Sequence, residues 1–214
     1  MKEILFATTN PSKYEPFHYN WEKLKLEGFQ LVTAKDLSPV PSVKVDEDTG
    51  TFDGDSLKKA KTYCQAYNRT VICLDRGIEF PALNNWPGTK TKEAFVGDEK
   101  MTLGIGLNRF ENDQRNSQVV LDKVAGRDRT VVSVYGIAVV CPDGSFTTDI
   151  VRVNGTAAPE LRVTKVGYYY DWFFIPPGMT TTLSELSPQE YLDYTATVLW
   201  PITPKISDFL LSRL

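Results

Sequence analysis

Three side chains near the start of the chain are of types that bind phosphate. Thr8, Asn10 and Lys13 follow an apolar run, residues 4–7, which is typical of a buried strand. Pro11 suits the first position of a helix, and the N-terminal end of a helix favours an anion. The stretch also fits an ordinary strand–turn–helix connection with a capping Thr or Asn, because it is not a glycine-rich phosphate loop.

One carboxylate directly follows the next largely apolar run. This run covers residues 70–74, and Asp75 comes immediately after it. The carboxyl end of a buried parallel strand lies at the edge of the sheet where α/β proteins bind ligands and metals. Asp75 is therefore a candidate site residue, with a plain loop position as the alternative.

Hydrophobic periodicity predicts the elements that would position these side chains. A helix over residues 56–67 would have one apolar face, with Asp55 as its N-cap. This face consists of Leu57, Ala60, Cys64 and Tyr67. Further helices are predicted over residues 12–26, 114–124, 184–194 and 204–214, and strands over 28–32, 70–74, 129–140 and 146–154, the last two as an antiparallel hairpin.

Residues 168–174 are dense in aromatic side chains that surround one carboxylate, Asp171. Aromatic clusters usually fill cores, and they can also stack on a nucleotide base. Asp171 favours a functional role, because a carboxylate buried among aromatic rings needs partners.

Length and charge exclude several classes of protein. The chain has 214 residues and a net charge of −3, so it forms one large domain or two small lobes and is unlike a general nucleic-acid binder. No apolar run approaches the ~20 residues of a membrane span, and no signal peptide is apparent.

The cysteine and histidine content excludes other classes of site. The three cysteines, Cys64, Cys73 and Cys141, form no CxxC pair, which argues against a zinc site or a disulfide framework. A reduced, cytoplasmic protein is expected. His18 is the single histidine, so chemistry that needs two histidines is excluded within one chain.

Several short motifs occur in a fixed order over nearly the whole chain. They are Thr8-x-Asn10-x-x-Lys13, Thr51-Phe52, Lys59-Ala60, Leu74-Asp75-Arg76-Gly77-Ile78, Leu83 to Gly88, Gly167 to Phe174, and Glu185-Leu186. In this order they resemble the inosine-triphosphate pyrophosphatase family, which removes non-standard purine nucleoside triphosphates. The chain would be a divergent member of that family.

The chain departs from the family pattern most strongly near its C-terminus. Tyr191 and residues 195–197 stand where the family has a lysine and a Ser-His-Arg element, which hold a phosphate and read the purine base. Earlier in the chain, Leu74 replaces the first of two strand-end acids. The remaining departures are Asp55 for Asn, Tyr169 for Gly, Trp172 for Pro, and Val45, Asp46 or Glu47 at the acid before the Thr-Phe element.

The resemblance implies an α/β fold, with a long, mixed, twisted sheet flanked by helices and two lobes with a central cleft. It also implies one domain over residues 1–214, a homodimer, and hydrolysis of a nucleoside triphosphate to the monophosphate and pyrophosphate. Neither a nucleic-acid polymer nor a membrane would be a partner.

The resemblance also assigns roles to residues of this chain. Lys13 and Lys59 would hold the phosphate chain, with hydrogen bonds from Thr8 and Asn10. Asp75 would bind Mg²⁺, for which Mn²⁺ could substitute, or orient the attacking water. The remaining assignments are Glu47 as a second metal ligand, Tyr168 and Tyr170 as base-stacking residues, and Asp171 as an acceptor from the base edge.

Two alternatives stay open at this point. One is a non-catalytic nucleotide-binding or scaffold protein on the same fold, which the missing Lys, His and Arg and the presence of Leu74 favour. The other is a house-cleaning pyrophosphatase that selects a modified pyrimidine. Lys90 and Lys92, beside the turn at Pro87, could replace the missing cations if that turn folds over the site.

Overall fold

The computed structural model describes residues 2–8, 11–24, 26–33, 36, 43–96, 109–164 and 169–213. The strands are β1 (Lys2–Phe6), β2 (Phe29–Thr33), β3 (Thr70–Phe80), β4 (Trp86–Gly88), β5 (Thr130–Val140), β6 (Phe146–Ala157) and β7 (Phe174–Ile175). The helices are α1 (Pro11–Leu24), α2 (Phe52–Tyr67), α3 (Thr91–Val96), α4 (Arg109–Lys123), α5 (Pro188–Leu199) and α6 (Thr203–Leu211). Short 3₁₀ turns occur at Pro81–Leu83, Tyr169–Trp172, Leu183–Glu185 and Trp200–Ile202.

The strands of the described residues form a mixed sheet in the order β2-β1-β3-β5-β6-β7, with β4 paired to β3. β1 runs parallel to both β2 and β3. β3 and β4 are antiparallel, as are β6 and β7. The prediction of an α/β fold with a mixed sheet flanked by helices is therefore confirmed.

The chain divides into two compact units. The first consists of Met1–Arg76, Tyr135–Val151 and Leu192–Leu214, and the second of Gly77–Val134 and Arg152–Tyr191. The predicted single domain over residues 1–214 stays a prediction. Among the described residues, no helix has the length and apolar character that crossing a membrane requires.

The core of the first unit lies between the sheet and α2. Ala60 and Cys64 of α2 pack on Val71 and Cys73 of β3, together with residues of β1 and β5. Leu57 and Tyr67 pack on the edge of this core, so the predicted apolar face of the helix is confirmed. On α1, the Phe17 ring stacks on Phe6 of β1 with 4.3 Å between ring centroids.

The core of the second unit is rich in aromatic residues. Phe80 of β3 stacks on Phe173 with 6.2 Å between centroids, and Trp172 packs edge-on against Phe110 of α4. Phe173 and Phe174 are fully buried. This part of the aromatic stretch fills the core of its unit, as the more common use of such clusters predicts.

The structure corrects the predicted start of α2. The helix begins at Phe52, four residues before the predicted start, and its N-cap is Thr51, whose Oγ1 accepts a hydrogen bond from the Gly54 N–H at 3.2 Å. Asp55 was predicted to be the cap. It lies instead in the first turn, where its carboxylate accepts from the N–H of Thr49 at 2.9 Å. Thr and Asp both cap helices well, so the sequence alone favoured the wrong one.

The predicted end of β3 is also wrong. The strand continues without a break from Thr70 to Phe80, so Asp75 lies inside the strand and not after it. The neighbouring strand β1 ends at Phe6, which pairs with Ile72. Asp75 therefore lies beyond the end of β1, and its position at the edge of the parallel pairing is kept although the strand does not end there.

Other boundaries differ by a few residues. The helix predicted over residues 184–194 begins only at Pro188, because Leu183–Glu185 form a separate 3₁₀ turn. In this turn the Glu185 carboxylate accepts hydrogen bonds from the Thr182 N–H at 2.7 Å and from the Thr182 hydroxyl at 2.9 Å. The helix predicted over residues 114–124 begins earlier, at Arg109.

Candidate functional site

Four charged side chains from four separate segments gather in the first unit. The Lys13 ammonium lies 3.4 Å from Oδ1 of Asp75 and donates to the carbonyl of Leu74 at 3.3 Å. The Lys59 ammonium pairs with the carboxylate of Glu47. The exposed fractions are 17% for the Lys13 and Lys59 side chains, 12% for Asp75 and 35% for Glu47. We call these four residues the charged cluster.

The parallel pairing of β1 with β3 brings Lys13 to Asp75. Pairing ends where the Ala7 N–H donates to the Ile72 carbonyl at 3.0 Å. Beyond this point the chain leaves the sheet and enters α1 at Pro11. Lys13 lies in the first turn of α1, so its side chain reaches the part of β3 that β1 leaves uncovered.

Alternation along β3 places Asp75 on the same face of the sheet as α2. Successive side chains of a strand point to opposite faces, and Val71 and Cys73 pack against α2. Asp75 continues this series. Lys59 precedes Ala60 of the α2 contact face, and it extends towards Glu47 near the same end of the strand.

The two lysines have different electrostatic environments. Burial lowers the pKa of Lys13, the Asp75 carboxylate opposes this shift, and the nearby charge of Lys59 adds to it. Burial also acts to lower the pKa of Lys59, but the carboxylates of Asp75 and Glu47 outweigh it, and the pKa is raised. Lys59 thus has two nearby carboxylates, whereas Lys13 is the more costly charge to keep buried.

The thiol beside the cluster is chemically quiet. Burial raises the pKa of Cys73 to about 12, against the opposing effect of the two lysines. A thiol with such a pKa stays protonated at neutral pH, and the Cys73 side chain is fully buried in the core against α2.

Glu47 belongs to a segment that lies along α2. We call residues 43–48 the acidic strap, because Asp46, Glu47 and Asp48 follow one another in it. Two adjacent ion pairs hold it to the helix: Glu47 with Lys59, and Asp48 with Lys58 at 2.6 Å. Sequence reasoning missed these pairs. The sequence does contain a signal for them, because the adjacent acids Glu47 and Asp48 precede a helix that carries the adjacent lysines Lys58 and Lys59.

The carboxylates of the cluster suit a hard cation. Asp75 and Glu47 are oxygen ligands, and Mg²⁺ usually takes one or two carboxylates together with waters and substrate phosphates. No group of three or more His, Cys, Asp or Glu that could hold a metal occurs within the described residues. The donor set therefore fits a magnesium ion shared with a phosphate chain, and it does not fit a site built from protein ligands alone.

The predicted base-binding residues that are described lie in the second unit. Asp171 is fully buried and accepts a hydrogen bond from the Tyr191 hydroxyl, 3.0 Å from Oδ2. Tyr170 is 1% exposed, and its ring meets Tyr169 edge-on. Asp171 thus has the partner that its burial requires. That partner is Tyr191, which stands at the position of the family's missing lysine.

The remaining predicted site residues are less informative. Thr8 is half-buried just after β1, where its N–H donates to the Phe6 carbonyl at 2.9 Å. Asn10 and Tyr168 lie outside the described residues. Lys90 and Lys92 are exposed in the second unit, with Lys90 3.8 Å from Glu93. The assigned roles of all predicted site residues stay predictions.

Comparisons with known proteins agree on one family. The model of the Ham1 family matches residues 4–194. A dITP/XTP pyrophosphatase from Bacillus subtilis is 30% identical over 194 residues, which cover 89% of this chain and 88% of that protein. A dITP/XTP pyrophosphatase from Staphylococcus aureus is 28% identical over 194 residues, with the same coverage of 89% and 88%.

Solved structures show the same fold. The Ham1 protein of Staphylococcus aureus superposes with a TM-score of 0.72 at 24% identity and covers 100% of both chains. A nucleoside-triphosphatase, or dITP/XTP pyrophosphatase, from Mycobacterium abscessus gives a TM-score of 0.69 at 24% identity, over 95% of this chain and 99% of that chain.

Proposed function

The chain belongs to the Ham1 family, and we propose that it hydrolyses a nucleoside triphosphate to the monophosphate and pyrophosphate. The names of the curated relatives support this activity, and the family resemblance read from the motifs is confirmed. The observation that carries the proposal for this chain is the charged cluster, in which Lys13 contacts the Asp75 carboxylate and the charge of Lys59 interacts with it.

The side chains of the cluster have different roles in the proposed reaction. Lys13 and Lys59 bind the phosphate chain by charge-assisted hydrogen bonds, next to the positive end of α1. Asp75 accepts a hydrogen bond from a water molecule and orients it towards the α-phosphorus. The water oxygen bonds to that phosphorus as Asp75 takes one of its protons and passes it to solvent. The bond from the α-phosphorus to the bridging oxygen breaks, and pyrophosphate leaves.

Asp75 and Glu47 are the residues that would hold a Mg²⁺ ion in this scheme. When bound, the ion supplies charge neutralisation and polarisation of the phosphate oxygens. Mn²⁺, which also takes oxygen ligands, would substitute.

We propose a non-canonical purine nucleotide as the substrate, in line with the dITP/XTP pyrophosphatases among its relatives. The base would be bound without the usual cations, since Tyr191, Thr195 and Ala196 are all buried and uncharged at the positions concerned. Tyr168 would stack on the base. Tyr170 and Asp171, which are 1% and 0% exposed, would have to become accessible before Tyr170 could stack on the base and Asp171 could accept from its edge. A cytoplasmic homodimer is part of the same proposal and rests on the family resemblance.

Pyrophosphate release from a panel of nucleotides tests the proposal. The panel contains dITP, XTP, the four standard ribonucleoside triphosphates and a modified pyrimidine triphosphate, each with Mg²⁺ and with Mn²⁺. The expected result is turnover that is fastest with dITP or XTP. A preference for the modified pyrimidine would favour the pyrimidine-selective alternative. Thermal stabilisation by nucleotide with no turnover of any of them would contradict the proposal and favour a non-catalytic binding protein.

A further inference from the structure

One carboxylate of the acidic strap already forms an ion pair with a lysine that a phosphate chain would need to bind. Glu47 pairs with Lys59, and Lys59 is only 17% exposed. The carboxylate oxygens of Glu47 therefore supply the negative charge that a phosphate oxygen would supply. In this arrangement the protein provides its own anion to its anion-binding residue.

The cluster as a whole has no excess positive charge in this state. Two lysines are balanced by two carboxylates, and Asp75 stays within 3.4 Å of Lys13. A site with balanced charges attracts a free polyanion only weakly. Binding of phosphate to Lys59 requires that Glu47 leaves it, and the departing carboxylate then needs another partner.

A divalent cation is the partner that fits the displaced carboxylate. Glu47 is 35% exposed, and it belongs to a segment without helix or strand structure, so it can turn from the lysine without disrupting a regular element. An oxygen ligand of this kind suits Mg²⁺. A cation that arrives with the phosphate chain would bind Glu47 while the phosphate binds Lys59. Two ion pairs would then replace the single pair of Glu47 with Lys59.

We propose that Glu47 makes the site select polyphosphate that carries a divalent metal ion. The ion pair of Glu47 with Lys59 competes with metal-free polyphosphate, whereas the metal ion of the complex binds the Glu47 carboxylate and so frees Lys59 for the phosphate. This inference rests on the proposed function and concerns the same site. Glu47 then acts as a specificity-determining residue as well as a metal ligand.

The strap offers a matched control. Asp48 neighbours Glu47, and its partner Lys58 neighbours Lys59, but this pair is more exposed, with exposed fractions of 65% for Asp48 and 40% for Lys58. Glu47→Gln and Asp48→Asn remove the same charge from the same segment. Only the first removes it from the lysine that belongs to the charged cluster.

Calorimetric titration with inorganic pyrophosphate in EDTA tests the inference directly. Wild-type protein should bind metal-free pyrophosphate weakly, and Glu47→Gln should bind it roughly two- to five-fold more tightly, as expected for loss of one partly exposed ion-pair competitor. Asp48→Asn should match the wild type. Glu47→Asp, which keeps the charge but shortens the side chain, should give a smaller gain in affinity and serves if the glutamine variant does not fold.

The magnesium arm separates this inference from the proposed function. With Mg²⁺ present, wild-type affinity for pyrophosphate should rise, and the rise should be smaller in Glu47→Gln. The inference alone is overturned if the wild type binds pyrophosphate with Mg²⁺ but Glu47→Gln gains nothing in EDTA, or if Asp48→Asn gains as much. If the wild type binds pyrophosphate under neither condition, both the inference and the proposed phosphate site are wrong.

Discussion

Two lysines with different surroundings interact with the charge of one carboxylate, Asp75. Lys13 is close to Asp75 and the Leu74 carbonyl, and Lys59 pairs with Glu47. If both bind the phosphate chain, each makes a charge-assisted contact that neither water nor a neutral side chain replaces. Their contributions should be large and separately measurable.

Substitution of either lysine by alanine should therefore weaken substrate binding. We expect Lys13→Ala and Lys59→Ala each to lower kcat/KM by roughly 10- to 100-fold, the usual cost of a lost hydrogen bond to a charged group. Steady-state pyrophosphate release from dITP measures this loss. Lys58→Ala is the control, since its side chain pairs with Asp48 on a more exposed part of α2. An unchanged kcat/KM in Lys13→Ala and Lys59→Ala would remove both residues from the site.

The buried pair of Asp171 and Tyr191 contributes stability to the second unit. Tyr191→Phe removes a donor from a fully buried carboxylate, and it should lower the free energy of unfolding by about 1–3 kcal/mol. Urea unfolding measures the loss. Tyr19→Phe is the control, because it removes the same kind of hydroxyl–carboxylate bond, to Asp193, at an exposed site. Equal losses in the two variants would show that burial of the Asp171 pair is unimportant.

Helix α2 carries Lys59 and so determines its position. The close approach of α2 to the sheet depends on a glycine. A Cβ atom at Gly136 of β5 would lie 2.3 Å from the carbonyl carbon of Phe52 and 2.5 Å from the amide nitrogen of Asp53. The Ser56 hydroxyl also donates to the Gly136 carbonyl at 2.9 Å. The first turn of α2 thus lies directly on the backbone of β5.

Gly136→Ala should affect stability and binding together. The overpacked contact should cost about 1–3 kcal/mol in the free energy of unfolding, and displacement of α2 should weaken pyrophosphate binding in the presence of Mg²⁺. Gly155→Ala is the control, since an added Cβ there would lie 2.6 Å from the Ile175 carbonyl oxygen in the second unit. It should lose stability and keep its affinity. Full affinity in Gly136→Ala would contradict the claim that this contact positions Lys59.

The turn before α5 depends on an ionised glutamate. Hydrogen bonds from the Thr182 backbone and the Arg162 guanidinium lower the pKa of Glu185. A carboxyl with a lowered folded pKa stabilises the folded protein above its unfolded pKa, and this contribution is lost as the pH falls through the folded pKa. Glu185→Gln should therefore cost about 1 kcal/mol of unfolding free energy at neutral pH.

The same variant should approach the wild type in acid. Chemical unfolding at neutral pH and at about pH 3.5, below the ordinary range of glutamate, should show a stability difference that shrinks with falling pH. A difference that is constant or grows towards acid would show that ionisation of Glu185 does not stabilise this turn.

The α/β architecture could be predicted well from the sequence. Hydrophobic runs and the order of short motifs are visible along the chain and do not depend on knowing which distant residues are in contact. The family, the mixed α/β sheet and most elements were predicted correctly. Lys13 and Asp75 were also predicted to share a site, and parallel pairing of β1 with β3 brings them together. Their roles in binding and catalysis stay predictions.

Other features depend on contacts between distant residues, which periodicity does not encode. Nothing in the run of residues 70–74 indicates that β3 continues through Asp75. The strand has β5 as a neighbour in the sheet, and its last three residues, Ile78–Phe80, pair with β4 across a turn. The pairing of Glu47 with Lys59 and of Tyr191 with Asp171 required the folded chain. The choice of Thr51 over Asp55 as helix cap depended on local geometry that both residue types permit.

We propose above that the charged cluster cleaves a nucleoside triphosphate at its α-phosphorus. The most direct measurement is identification of the products that the purified protein forms from dITP with Mg²⁺, alongside Asp75→Asn under the same conditions. The wild type should form the monophosphate and pyrophosphate in equal amounts, and the variant should form neither. Release of the diphosphate and inorganic phosphate, or undiminished activity in Asp75→Asn, would show that the charged cluster does not catalyse this reaction.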